Sequence, residues 1–337
     1  MPQAVIMAGG QGERFWPMTH AGFPKYRIKF DGKRSLLQGT YDRLARIFPK
    51  GSISVVTTRQ HARMIREELP FLRAGNLIIE PFRNNTAAAI LLSTALAAKK
   101  SGPEEIVSFF PADHLIRDER AFGKTISGAM HLAQKTNTLV TIGITPTFPA
   151  TGYGYIRCGK PIRGFKKAYR AARFVEKPNH QRALFYMRDG SFLWNAGIFT
   201  WRSGVFMEAM ARHCPRMIAA FDVSRIESSY RRLESQSIDY ALLEKAENIA
   251  VCRTEMDWCD LGNWDRLLDM SKADSKGNVK TGASHHEDAR GCLLINEHHQ
   301  PLVTAGLRDL VVVQTPQGTL ICRRGSAEEA ALLFKKI

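Results

Sequence analysis

The sequence lacks several features, and each absence removes a class of protein. No stretch approaches the ~18 consecutive apolar residues of a membrane span. The first residues also lack a basic region followed by a long apolar run and a small-residue cleavage site, so a soluble, cytoplasmic protein without membrane contact is expected. The six cysteines (Cys158, Cys214, Cys252, Cys259, Cys292, Cys322) contain no C-x-x-C pair. In a chain of this size they are expected to be reduced, mostly buried thiols. His285-His286 and His298-His299 lie among Glu287, Asp288, Asn296 and Glu297 and read as solvated loop instead of a metal tract. The basic residues, though numerous enough for a formal charge of +16, are dispersed and lack interleaved aromatics. A nucleic-acid partner is therefore not expected, and the densest run, Arg163 to Phe174, reads as a solvated hairpin or helix face. A small polyanion such as a nucleoside triphosphate is compatible with that charge.

What is present is a long, core-forming chain, 337 residues with 44% hydrophobic content, enough for one large domain and a smaller one. Short β-branched runs alternate with helical ones: "AVIMAG", "SLLQGTYDRLARIF", "ISVVTT", "RQHARMIREEL", "NLIIEP", "NTAAAILLSTALAAKK", "EIVSFFPAD", "AFGKTISGAMHLAQ", "TLVTIGI". This rhythm predicts parallel β-α-β units and an α/β fold. The segment Asn85 to Lys100 is apolar nearly all round, which predicts a buried helix capped by Asn85 or Thr86. Past residue 150 strand-rich pieces read as a mixed insertion on the same sheet, followed by two or three helices from Ser203 to Ala246. The polar stretch Lys272 to Gly291 is the best boundary candidate, and beyond it short strands punctuated by turns predict a β-rich appendage closed by a last helix from Ser326.

Ligands of open α/β sheets bind beyond the carboxyl ends of the strands. Three such ends carry chemistry: Ala8 to Arg14, Glu80 to Thr86 and Pro111 to His114. The first, "AGGQGER", lacks the third glycine of a dinucleotide fingerprint, since Phe15 stands there. It also lacks the G-K-[ST] ending of a Walker loop, and Pro17 stands where a phosphate-binding helix would run. What remains is a permissive turn whose amides can approach phosphate oxygens, with Arg14 and Lys25 supplying positive charge. Asp113 follows a buried strand and a proline, where it is either a helix cap or a metal ligand. Asp257 and Asp260 flank another strand end, and carboxylates from two distant strands suit Mg²⁺. "RFVEKP" and "FLWNAGIFTW" embed Glu176, Lys177 and Asn195 in apolar runs. They are either self-satisfied, as an ion pair and a backbone-bonded amide, or partners of sugar hydroxyls.

Taken in order, eight segments closely resemble the mannose-1-phosphate guanylyltransferases of the sugar-phosphate nucleotidyltransferase superfamily. They are "MAGGQGERFWP" with Pro24-Lys25, "EPFRNNTAAAI", "FFPADH", "TGYGYI", "FVEKP", "LWNAGIF", "IDYALLEK" and "DWCDLGNW". The likeness spans essentially the whole chain. It implies a Rossmann-like nucleotidyltransferase fold with a mainly parallel mixed sheet over residues 1–275, plus a small β-rich, left-handed β-helix-like domain over 276–337 that serves homodimerisation. The implied reaction is attack of mannose 1-phosphate on the α-phosphorus of GTP, giving GDP-mannose and pyrophosphate, with Mg²⁺ as cofactor. The resemblance implies nucleotide binding by Ala8, Gly9, Gly10, Gly12, Arg14, Glu80, Asn85 and Thr86, with Glu80 on the guanine edge. Arg14, Lys25 and Asp113 are the implied catalytic groups and Asp113 and Asp260 the implied metal ligands. Gly152, Glu176, Lys177 and Asn195 are the implied sugar contacts.

The chain departs from the family pattern at Phe15-Trp16-Pro17-Met18-Thr19-His20 and at Tyr26-Arg27, but neither departure removes a proposed charge. Its last ~60 residues are too few for an appended isomerase domain, so no isomerase activity is expected. Use of another nucleotide or sugar 1-phosphate, or a non-catalytic regulatory role, are the alternatives. The presence of Lys25 and both aspartates favours an enzyme.

Overall fold

The computed structural model describes residues 1–10, 12–30 and 33–334. Two compact units emerge, one from Met1–Gly9, Thr40–Ala112 and Ile116–Trp258, the other from Gly10–Gly39, Asp113–Leu115 and Cys259–Ile337. No helix among the described residues is long and apolar enough to cross a membrane.

The first unit is built on a nine-stranded sheet. Its strands are β1 (Gln3–Met7), β2 (Ile53–Thr58), β3 (Leu77–Glu80), β4 (Ile106–Pro111), β5 (Leu139–Ile144), β6 (Tyr155–Pro161), β7 (Ala168–Val175), β8 (Phe192–Arg202) and β9 (Ile249–Thr254). Their order is β3-β2-β1-β4-β8-β5-β9-β7-β6. The first four pair in parallel, as do β5 and β9, whereas β8 and the β6–β7 hairpin run antiparallel to their neighbours. Continuous burial along β2, β4 and β5 is what a parallel strand covered on both faces requires. The parallel array follows from the β-α-β rhythm, and it brings the carboxyl ends of β1, β3 and β4 to one edge.

The helix Asn85–Ser101 buries Ala87 to Thr94 and Ala97, as its nearly all-round apolar sequence predicts. Its start differs from the expectation: Asn84 is the residue at the N-cap, and its side chain donates to Leu233 O at 3.2 Å instead of capping. Trp201, fully buried, stacks on Phe206 at 4.8 Å and packs against Phe109 at 5.3 Å, tying the helix layer to the sheet. The basic run Arg163 to Phe174 forms the turn into β7 and β7 itself, paired with β6 as a hairpin.

In the second unit, β10 (Val279–Thr281), β12 (Leu293–Asn296) and β14 (Leu310–Thr315) stack in parallel, and β15 (Gly318–Arg323) closes antiparallel on β14. A second parallel pair joins β11 (Ser284–Glu287) to β13 (Leu302–Ala305). One rung per turn on two faces is a β-helix-like coil, the expected β-rich region. Leu293, Ile295, Val311 and Val313 point inward onto Phe15 and Trp264. Trp264 also donates Nε1–H to Trp16 O at 3.0 Å. The helix Ala327–Leu333 is seated by Asp265, whose carboxylate accepts from Gly325 N (2.8 Å) and Ala327 N (3.3 Å).

The polar stretch Lys272 to Gly291 carries the coil's first rungs and a buried hinge of hydrogen bonds. Asn278, 2% exposed, donates Nδ2–H to Ala289 O (2.9 Å) and Asp274 Oδ2 (3.2 Å) and accepts from Cys292 N (3.0 Å). Asn278→Ala leaves a buried carbonyl and a buried amide without partners, so it should cost about 3 kcal/mol. Hydrogen exchange at the Cys292 amide should accelerate accordingly in the variant, and unchanged protection there would contradict this account.

Candidate active site

In the second unit, the glycine-rich turn leads into a short 3-10 helix, Glu13–Phe15. Gly12 adopts φ 72°, ψ 36°, the left-handed region that costs a side chain most. Space demands glycine as well: a Cβ at Gly12 would lie 2.3 Å from the Lys25 Cβ. At Gly10, by contrast, an added Cβ would meet nothing within 4 Å. The turn is pinned from within by Thr19, whose hydroxyl donates to Gly12 O at 2.8 Å.

Lys25 opens a second 3-10 turn, Lys25–Arg27, after Pro24 has preset the backbone. Its side chain is 10% exposed, and its ammonium donates to Asp113 Oδ2 at 2.7 Å and to Asp260 O at 2.6 Å. The Phe15 ring lies 5.6 Å from Nζ, adding a cation–π contact. Burial works against charge on Asp113, but the Lys25 ammonium and His114 outweigh it and hold the carboxyl below the usual carboxylate range. Lys25, Asp113 and Asp260, distant in sequence, thus meet. Asp113 is not the helix cap considered from sequence: the following helix, Glu119–Lys135, is capped by Asp118, which accepts from Ala121 N at 2.8 Å. Asp257 is not in this group and pairs with Arg117 at 3.7 Å. Arg14 is exposed and reaches Glu328 at 3.4 Å, while the same carboxylate accepts from Asn263 Nδ2 at 3.3 Å. Glu328 was not singled out from sequence, where it reads as one acid in a helix's first turn.

In the first unit, Ala8 and Gly9 follow β1. Ala8 is held to β2 by its amide on Val56 O (2.9 Å) and by its carbonyl under the Thr57 hydroxyl (2.6 Å). An added Cβ at Gly9 would meet nothing within 4 Å. Glu80 ends β3 at 5% exposure, and Tyr230 donates its hydroxyl to Glu80 Oε1 at 3.2 Å. Burial drives the Glu80 pKa up to about 7, against the opposing pull of that hydrogen bond. Asn85 has φ 62°, and its Oδ1 accepts from the Thr86 amide at 2.9 Å. Thr86 Oγ1 accepts from Ile238 N at 2.9 Å. Tyr230 carries no local sequence signal that would have linked it to Glu80.

A second cluster of the first unit gathers three of the four expected sugar contacts. Lys177, at φ 44°, pairs with Glu176 Oε1 at 3.1 Å. Asn195 donates Nδ2–H to Asp239 Oδ1 (3.0 Å), and its Oδ1 accepts from Thr141 Oγ1 (2.9 Å) and Gly197 N (3.2 Å). Gly152 is exposed with nothing near an added Cβ. It is Gly154 that touches the cluster: its carbonyl accepts from Asn195 N at 2.8 Å, and a Cβ there would sit 2.5 Å from Glu176 Oε2. Burial raises the pKa of Glu176 and of Asp239, and the Glu176 charge raises Asp239 further. Asp239 was visible as the one acid preceding the apolar core of "IDYALLEK", although sequence reasoning gave it no role.

Comparison with known proteins agrees with this architecture. The nucleotidyl transferase family model matches residues 3–277. The chain is 36% identical to the mannose-1-phosphate guanylyltransferase of Salmonella montevideo, over 99% of this chain and 73% of that protein. It is 34% identical to the mannose-1-phosphate guanylyltransferase of Escherichia coli K12, with the same shares covered. A crystal structure from Thermus thermophilus, described as a mannose-1-phosphate geranyltransferase, matches with a TM-score of 0.89 at 32% identity, over 99% of this chain and 98% of that one. A buried lysine bonded to the Asp113 carboxylate and the Asp260 carbonyl beside a glycine turn, together with this likeness over nearly the full length, identifies the chain as an enzyme of the nucleotidyl transferase family and a member of its mannose-1-phosphate guanylyltransferases.

Proposed function

We propose that the protein transfers the guanylyl group of GTP to mannose 1-phosphate, releasing pyrophosphate and forming GDP-mannose. The observation that carries this reading is the buried Lys25 ammonium, 2.7 Å from the Asp113 carboxylate and 2.6 Å from the Asp260 carbonyl, packed against a turn that only glycine can make. The attacking group is a phosphate oxygen that is already an anion, so no general base is required. What the reaction needs is alignment of two polyanions and relief of their repulsion.

In this reading the amides of Gly9, Gly10 and Gly12, next to Ala8, and the Arg14 guanidinium hold the triphosphate. Lys25 meets the charge that builds on the α-phosphate oxygens and the departing pyrophosphate. Glu80 accepts from the guanine N1–H and exocyclic amine, with Asn85 and Thr86 at the base and ribose. Gly152, Glu176, Lys177 and Asn195 contact the mannose, Lys177 reaching its phosphate.

Asp113 and Asp260 fit Mg²⁺ by the chemistry of their donors. They offer hard oxygens, and Asp113 is kept ionised by its surroundings. No group of three or more His, Cys, Asp or Glu side chains among the described residues is placed to hold a metal. When bound by Asp113 and Asp260, Mg²⁺ would supply Lewis-acid neutralisation of phosphate charge. Residues 1–275 are assigned to catalysis and 276–337 to homodimerisation, a role supported by the exposed Val303 (73%) and Ile321 (65%) on that coil.

Pyrophosphate release should be fastest with GTP and mannose 1-phosphate in a panel of nucleotides and sugar 1-phosphates, and a clear preference for UTP or ATP would remove the guanine role of Glu80. Asp113→Asn, Asp260→Asn and Lys25→Ala should each lower kcat by about 10²-fold or more while the far-UV spectrum stays native. Full activity in both aspartate variants would refute the metal assignment.

Glu80 generates a pH prediction with a definite sign. With its folded pKa at about 7, the folded protein keeps a proton that the unfolded chain has already released, so stability falls as pH rises from the ordinary carboxyl range to about 7 and is level above it. The span of that fall is about 3 kcal/mol, and Glu80→Gln should flatten it. Because the ionised form is the one that accepts from two N–H donors, KM for GTP should drop as pH rises through about 7 in the native enzyme and not in Glu80→Gln. A pH-independent KM would overturn the assignment.

A further inference from the structure

A carboxamide has two nearly isosteric orientations, and only its partners decide between them. At Asn195 the decision is unambiguous. The Gly197 amide can only donate, so it requires the Asn195 oxygen, which the Thr141 hydroxyl also reaches at 2.9 Å. The nitrogen then turns to Asp239 Oδ1 at 3.0 Å, spending one of its two hydrogens there. The other hydrogen stays with a residue that is only part-buried and sits beside Glu176 and Lys177 through the close approach of Gly154.

Asp239 is well fixed for such a task. It opens the π-helical turn Asp239–Leu243, whose Ala241, Leu242 and Leu243 are buried. The preceding residue donates its amide to Thr86 Oγ1 at 2.9 Å, and Ala241 N is bonded to Ser237 O at 2.9 Å. The facing strand is shaped to match: the β5–β8 register shifts between Thr141 and Gly143, opposite Asn195. Such a bulge re-aims side chains, and here it directs the Thr141 hydroxyl onto Asn195. On the far side Glu244, from the end of the same turn, accepts the Glu176 amide at 2.9 Å, so one short element holds both neighbours.

We propose that Asp239 is a positioning residue of the sugar site, locking the Asn195 carboxamide so that its remaining N–H is presented to a hydroxyl or phosphate oxygen of a hexose 1-phosphate. The inference rests on the sugar-binding reading of Asn195 given above. Asp239 does not itself touch the substrate in this account. It acts through Asn195, which makes the two residues energetically one unit.

The test is steady-state kinetics of the full-length enzyme with mannose 1-phosphate and GTP varied separately, on Asp239→Ala, Asp239→Asn, Asn195→Ala and the double variant Asn195→Ala/Asp239→Ala. Losing the hydrogen bond to Asp239 should raise KM for mannose 1-phosphate about tenfold in Asp239→Ala, with KM for GTP within about twofold of native. Asp239→Asn keeps an acceptor oxygen in place and should recover most of that loss. The double variant should match Asn195→Ala, because nothing is left to position. If Asn195→Ala leaves KM for the sugar phosphate unchanged, the sugar-binding reading itself fails. If Asn195→Ala raises KM but Asp239→Ala does not, or if the two effects simply multiply in the double variant, the positioning role is overturned. Should Asp239→Ala fold poorly, Asp239→Leu, alone and combined with Asn195→Ala, supplies the same comparison, and equal rises in both substrates' KM in Asp239→Leu would refute the proposal.

Discussion

An ammonium group withdrawn from water has to meet an anion or give up its proton, and in this protein that requirement organises the residues around Lys25. Lys25 satisfies it with the Asp113 carboxylate and the Asp260 carbonyl. The three come from separate stretches of the second unit, so the ion pair draws them to one point. Space for the lysine stem exists because Gly12 has no Cβ, and the left-handed backbone at Gly12 is what turns the chain into Glu13–Phe15. Phe15 in turn packs edge-on to Trp264 at 4.7 Å, carrying the arrangement into the hydrophobic core of that unit. The turn, the charge and the core are consequences of one another.

The first unit handles charge in the opposite way. Where Asp113 is held ionised, burial pushes the pKa of Glu80, Glu176 and Asp239 upward, and each has a donor close by: Tyr230 on Glu80, Lys177 on Glu176, Asn195 on Asp239. Carboxyls whose pKa burial has raised, set in a polar cluster, suit ligands with hydroxyls and ring N–H groups, which both give and take hydrogen bonds. A strongly held ion pair suits phosphates. The contrast gives physical content to the proposed division between a phosphate-handling part and parts that read base and sugar.

Much of this was legible in the residues. The alternation of β-branched and helical runs is a local signal, and it foretold the parallel array of β1 to β4 and the buried helix from Asn85, because burial on both faces demands unbroken apolar sequence. Asp113 and Asp260 were nominated by their places at strand ends. What single positions do not show is which neighbour each one meets. Gly152 and Gly154 are indistinguishable as letters in "TGYGYI", yet only Gly154 lies against Glu176 and Asn195. Asn84, Asn85 and Thr86 are all competent caps by composition, and the bonds to Leu233 and Ile238 assigned them other work.

The sequence by itself determined the α/β class, the β-rich end, the glycine turn and the identity of the ionisable groups, since each depends on periodicity, backbone freedom or side-chain chemistry within a few residues. Only the tertiary structure decided which of those groups meet, and what else they meet. That Lys25 answers Asp113 and Asp260 across 88 and 235 positions, and that Asp239 answers Asn195 across 44, depends on desolvation and distance, which exist only once the chain has folded.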